Sequence, residues 1–216
     1  MAAGAFLSLA GRVLALALIL TAVRPGSVAA DSKPLTILAF GDSLVAGFGL
    51  GSGDGFTAKL EAALKAKGVE ARVVNAGLSG DTSAGGLARL DWALAPKPDF
   101  AIVELGANDG LRGLDPAQTR ANLDAILTKL KAKSVKVLFA GMYAPPNMGP
   151  DYGKAFNALY PELARKHGVP FYPFFLDGVA ANASLNQPDG IHPNANGVDV
   201  IVERILPHVL KLIGKE

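Results

Sequence analysis

Three side chains supply the parts of a nucleophilic acyl-transfer site: Ser43, Asp189 and His192. A serine hydroxyl is a weak nucleophile at neutral pH and needs an adjacent base. Histidine titrates near the working pH and is the natural one. A carboxylate fixes the imidazole tautomer and stabilises its charged form. Asp189 and His192 are three residues apart in a segment bounded by Pro188 and Pro193, with Gly190 between them. The prolines restrict this segment and the glycine permits a tight turn, so one short loop can carry both groups to Ser43. Acyl transfer also needs donors aimed at the oxygen of its tetrahedral intermediate. The candidates are the backbone N–H groups of Ser43 and Gly80 and the side-chain amide of Asn108.

The elements that must position these groups alternate from residue 35 onward. Strands are expected at Leu35–Phe40, Val69–Asn75, Asp99–Leu105, Val135–Ala140 and Val169–Phe174. Leu35–Phe40 is a short apolar run stopped by Gly41, as a parallel strand buried on both faces would be. Helices are expected at 56–67, 82–94, 116–133, 151–167 and 195–213. Gly68 and Gly168 stand as C-terminal stops, and Asp81 as the N-cap of the second helix. Asp115-Pro116 opens the third with a cap and an N1 proline, and Pro207 bends the last. Five strands separated by helices describe an α/β fold with an open parallel sheet covered on both faces. Ligands on such sheets bind beyond the C-terminal strand ends. Ser43, Gly80 and Asn108 follow the first, second and third of these ends.

Four segments carry a family likeness: Phe40-Gly41-Asp42-Ser43-Leu44, Ser79-Gly80-Asp81-Thr82-Ser83, Val103 to Gly113, and Asp189-Gly190-Ile191-His192-Pro193-Asn194. Together they resemble the SGNH hydrolases, also called GDSL esterases. They look most like the bacterial branch with acyl-CoA thioesterase, lysophospholipase and arylesterase activities. The resemblance implies a flavodoxin-like three-layer α/β/α domain with a Ser43-Asp189-His192 triad. It implies an oxyanion hole of Ser43, Gly80 and Asn108, no metal and no cofactor. The implied partner is a small-molecule ester or thioester. The loop from Met142 to Gly149, with Pro145 and Asn147, is implied to receive the acyl chain. The run from Gly47 to Gly55 departs from that branch in its richness in glycine.

Other motifs compete for these residues and fail. No placement within 47–55 satisfies G-x-G-x-x-G, so a flexible loop is expected there rather than a phosphate cradle. Gly41-Asp42-Ser43-Leu44-Val45 lacks the last glycine of a G-x-S-x-G elbow. Asp42 and Asp109 are expected to bond locally behind the site. Glu104, in an apolar strand, requires either a partner such as Arg89 or Arg112 or a solvated edge. His167 suits a helix C-terminus, His208 a surface and Trp92 the packed interior. Three scattered histidines without H-E-x-x-H do not make a zinc site. Asn182-Ala183-Ser184 matches a glycosylation sequon, a pattern common by chance.

Composition narrows the remaining classes. The 216 residues contain no cysteine, which excludes disulfides, thiolate metal sites and a cysteine nucleophile. Val13–Val23 is an uncharged stretch of 11 residues after Arg12, followed by Val28-Ala29-Ala30. It is shorter than the roughly 18–20 residues of a membrane span. A signal peptide over 1–30, cut after Ala30, is therefore expected, with the hydrolase domain at 31–216. Its removal takes Arg12 and Arg24 and leaves 19 basic residues against 19 acidic. A neutral chain of this size is one exported domain, periplasmic or secreted, with no charge excess for nucleic acid and no stable membrane insertion after cleavage.

Overall fold

The computed structural model describes residues 1–2 and 34–215. The expected leader, Met1 and Ala2 apart, lies outside the described residues. The chain divides after Ser32, and the architecture below belongs to Lys33–Glu216.

Five parallel strands form one sheet among the described residues. They are β1 (Leu35–Gly41), β2 (Ala71–Gly77), β3 (Phe100–Glu104), β4 (Lys136–Ala140) and β5 (Phe171–Tyr172), in the spatial order β2-β1-β3-β4-β5. The long helices are α2 (Phe56–Ala66), α3 (Ser83–Ala93), α5 (Pro116–Ala132), α6 (Pro150–His167) and α7 (Ala195–Leu212). Two short ones, α1 (Ser43–Ala46) and α4 (Ala107–Leu111), sit directly after β1 and β3. Helices α2 and α7 pack together on one face, and α3, α5 and α6 on the other.

Helix patterning explains the layers. In α7, Val198, Ile201, Val202, Ile205 and Val209 recur on one side and are buried. In α2, Phe56, Leu60 and Leu64 do the same. The central strands are apolar on both faces, and Ile37 to Phe40 and Ala101 to Val103 have no exposed surface. Each such large side chain contributes about 1.5–3 kcal/mol through burial. The order reverses between β1 and β3, and this reversal opens the crevice where ligands bind.

Three elements differ from expectation for local reasons. Strand β5 is only Phe171–Tyr172 because Pro170 and Pro173 flank it and lack the N–H a ladder needs. Strand β2 begins two residues later than expected and ends at Gly77. The N-cap of α3 is Thr82, whose hydroxyl accepts from Gly85 N. Asp81 binds Arg89 instead. Helix α7 continues through Pro207 to Leu212.

Candidate active site

Each candidate residue stands just past a strand end or on the loop before α7. Asp42 caps α1, its Oδ1 accepting from Leu44 N at 3.0 Å. This turn presents Ser43 at the mouth of a cleft of about 470 Å³. Close packing holds the turn in place, because a Cβ at Gly77 of β2 would overlap the backbone of Ala46.

His192 Nε2 lies 2.9 Å from Ser43 Oγ, and His192 Nδ1 lies 2.7 Å from Asp189 Oδ2. An ionised carboxylate can only accept, so Nδ1 carries the proton and Nε2 faces the serine as an acceptor. The second Asp189 oxygen accepts from Ile191 N and His192 N, both at 3.0 Å. The His192 N–H bond, the imidazole and the Ile191 N–H together lower the Asp189 carboxyl to about 2. Gly190, at φ 74°, makes the turn that allows both backbone bonds. Four residues span the motif, and the loop closes with Gln187 N donating to His192 O at 2.7 Å.

Asn108 and Gly80 reach the same cleft. The N–H groups of Ser43 and Gly80 have no protein acceptor among the described residues. The Asn108 amide is already engaged: Nδ2 donates to Asp42 Oδ2 at 3.1 Å and to the Asp81 carbonyl at 2.9 Å. Burial pushes the Asp42 carboxyl up to about 6, although the Leu44 and Asn108 donors favour its charged form. Beneath it lies Glu104, fully buried, with Oε2 accepting from Asp42 N at 3.3 Å. Burial and the nearby Asp42 charge raise the Glu104 carboxyl well above the ordinary carboxylate range. Neither arginine suggested as its partner reaches it. Arg89 binds Asp81 and the carbonyls of Ala76 and Gly41, and Arg112 binds the Gly80 carbonyl at 2.8 Å. Asp109, also buried, accepts from the Ser83 backbone and hydroxyl and from Thr119.

The walls are mostly apolar. Leu111, Met142, Tyr143, Pro145, Phe174 and Ile191 line the cleft, and Tyr143 stacks on Phe174 at 4.5 Å between ring centroids. Pro145 is thus on the wall, whereas Asn147 is exposed on the following turn and does not line the cleft. The glycine-rich loop is tied to the site rather than left loose. The Phe48 ring lies 4.6 Å from the imidazole of His192, and Gln187 Nε2 donates to Phe48 O at 2.7 Å. Nothing in the sequence marks Phe48 or Gln187, because their role depends on two loops meeting in space. Of the other histidines, His167 is nearly buried against Asp124 and His208 packs edge-on to Tyr172. Among the described residues no group of acidic or histidine side chains is arranged to hold a metal. Trp92 departs from expectation most: it is 77% exposed.

The GDSL-like Lipase/Acylhydrolase family matches residues 39–200, a span that includes Ser43, Gly80, Asn108, Asp189 and His192. The chain belongs to this family. It is 44% identical to Esterase TesA of Pseudomonas aeruginosa over 82% of this chain and 89% of that one. It is 40% identical to Thioesterase 1/protease 1/lysophospholipase L1 of Escherichia coli K12, over 84% and 86% respectively. Among solved structures, AlinE4, an SGNH-hydrolase family esterase, is 48% identical, with a TM-score of 0.71 over 83% of this chain and 96% of that one. As a GDSL-like hydrolase on the SGNH fold, the chain is an enzyme of ester hydrolysis. Among the described residues of this family member, no helix is long and apolar enough to cross a membrane.

Proposed function

We propose that the chain is an exported serine esterase acting through Ser43, His192 and Asp189 on aryl esters, short-to-medium acyl esters, lysophospholipids and acyl thioesters. The observation that carries this is the unbroken contact series from Ser43 Oγ through the imidazole to Asp189 Oδ2. His192 Nε2 takes the hydroxyl proton as Ser43 Oγ attacks the acyl carbon, and Asp189 stabilises the imidazolium. The N–H groups of Ser43 and Gly80 meet the developing oxyanion. Asn108 joins them by transferring one N–H from Asp42 Oδ2, the longer of its two bonds. The imidazolium then protonates the leaving alcohol or thiol, and water attacks the acyl-enzyme with His192 again as base.

The apolar walls favour an acyl chain over a glycan, which supports this esterase over a polysaccharide deacetylase on the same fold. Sulfur and oxygen esters share the acyl half that the cleft would hold, and the named relatives include both an esterase and a thioesterase. Export rests on the leader-like residues 1–30, and N-terminal sequencing of the processed protein tests it.

The test is a panel of aryl and thiol esters of increasing acyl length, assayed beside Ser43→Ala. The variant is expected to lose turnover by about 10⁵-fold or more. Retention of most activity would remove Ser43 as nucleophile. Failure of an organophosphonate to label the parent enzyme on Ser43 would do the same.

A further inference from the structure

The end of the sheet remote from Ser43 has a character of its own. Helices return antiparallel to the strands, so their C-termini gather where the strands begin. Their last turns carry Lys65 in α2, Lys129 and Lys131 in α5, and Arg165 and Lys166 in α6. Helix macrodipoles account for cations at those positions. They do not account for Lys97, in the connection after α3, or for Lys136, which opens β4. These two converge with Lys133 on a groove of about 860 Å³.

The acids at this groove are already engaged. Asp91 pairs with Lys129 at 2.9 Å, and Asp99 accepts from Thr36 N at 2.9 Å. Lys136 lies over the Phe100 ring. Among the described residues Lys97, Lys133 and Lys136 form no ion pair.

Trp92 lies in the last turn of α3, next to Asp91 and five residues before Lys97 in the chain, and does not itself line the groove. It is the sole tryptophan of the chain and is 77% exposed. An exposed indole at the helix end that leads to Lys97 suits an interfacial anchor, where the ring sits at headgroup level and ammonium groups meet anionic charge. The chain also joins the domain here, since Leu35, the first residue of β1, lines the groove. The uncharged run Val13–Val23 lies upstream of that junction in the sequence.

We propose that this pole docks peripherally on an anionic lipid bilayer, with Trp92 entering the interface and Lys97, Lys133 and Lys136 meeting the headgroups. The cleft with Ser43, at the opposite strand ends, then faces away from the membrane and stays open to dissolved esters. The contact is electrostatic and reversible, separate from any anchoring by residues 1–30.

Because the protein has one tryptophan, its fluorescence reports the contact directly. The purified protein, its N-terminus sequenced, is titrated with phosphatidylglycerol vesicles, with phosphatidylcholine vesicles and with dextran sulfate. Expected is a blue shift of Trp92 emission on phosphatidylglycerol alone, reversed by salt. Lys97→Glu combined with Lys133→Glu weakens vesicle binding by about tenfold or more, with ester hydrolysis unchanged. No shift on anionic vesicles, or equal shifts on neutral ones, overturns the proposal. So does unchanged binding by the charge-reversed variant. Dextran sulfate binding as tight as vesicle binding, with the emission unmoved, would assign the pole to a soluble polyanion instead.

Discussion

Asn108 Nδ2 donates to Asp42 Oδ2 at 3.1 Å, so the proposed oxyanion donor is bonded to the residue before the proposed nucleophile, Ser43. Asp42 is buried beside Glu104, and burial holds its carboxyl at about 6 against an ordinary 3.8. That difference corresponds to about 3 kcal/mol lost from folding stability when Asp42 is ionised. The sign follows from the raised folded value: the loss is fully present above pH 6 and disappears as pH falls toward 4. Asp42→Asn is therefore expected to raise the thermal midpoint at pH 8, with the gain shrinking at pH 4.5. Activity is expected to fall by about tenfold or more, because the amide loses its charged acceptor. Melting curves at both pH values, set beside kcat, check both halves.

Asn108→Ala removes the amide altogether. A single oxyanion donor contributes about 3 kcal/mol, so kcat is expected to fall by roughly 10²–10³-fold. The bond forms only as charge develops, so KM should change far less. Steady-state kinetics on one aryl ester separate the two constants.

Phe48 covers the imidazole of His192 at 4.6 Å and is held by Gln187 through its carbonyl. Phe48→Ala uncovers the ring and lets water reach the proton-transfer path. The expected result is a fall of about three- to tenfold in kcat with the fold intact. Gln187→Ala, which frees the loop without removing the ring, should give a smaller loss of the same kind.

Gly77 of β2 abuts the backbone of Ala46 in α1 so closely that a methyl group has no room. Gly77→Ala must push the Ser43 turn away from β2. Overpacking of this kind costs about 1–3 kcal/mol. The midpoint of thermal unfolding should drop by roughly 3–10 °C, and residual activity should fall at temperatures where the protein remains folded.

The strands that carry the site are legible because β1, β3 and β4 are apolar along most of their length and run out at Gly41, Gly106 and Gly141. Ser43, Gly80 and Asn108 follow the first three strand ends in order, and Asp189 and His192 lie close enough in sequence to be paired. Other features depend on neighbours remote in the chain. Glu104 looks like half of an ion pair, yet the partner beneath Asp42 is no arginine, because Arg89 and Arg112 are spent on Asp81 and on carbonyls. Trp92 has the residue type of a core position, but the stripe that α3 buries runs through Gly86, Leu90 and Ala93, on another side of the helix. Thr82 outcompetes Asp81 as cap because Asp81 has a guanidinium to bind.

Arg89 joins Asp81 and the carbonyls closing β1 and β2, while its guanidinium lies 4.4 Å above the Phe40 ring. The Ser43 turn and the Gly80 segment therefore share one mechanical foundation and shift together or not at all. Evolution of a new acyl preference has little freedom there. Substitutions that widen or narrow the substrate range should accumulate instead around Tyr143, Pro145 and Phe48, whose loops can be remodelled without disturbing the chemistry they overlook.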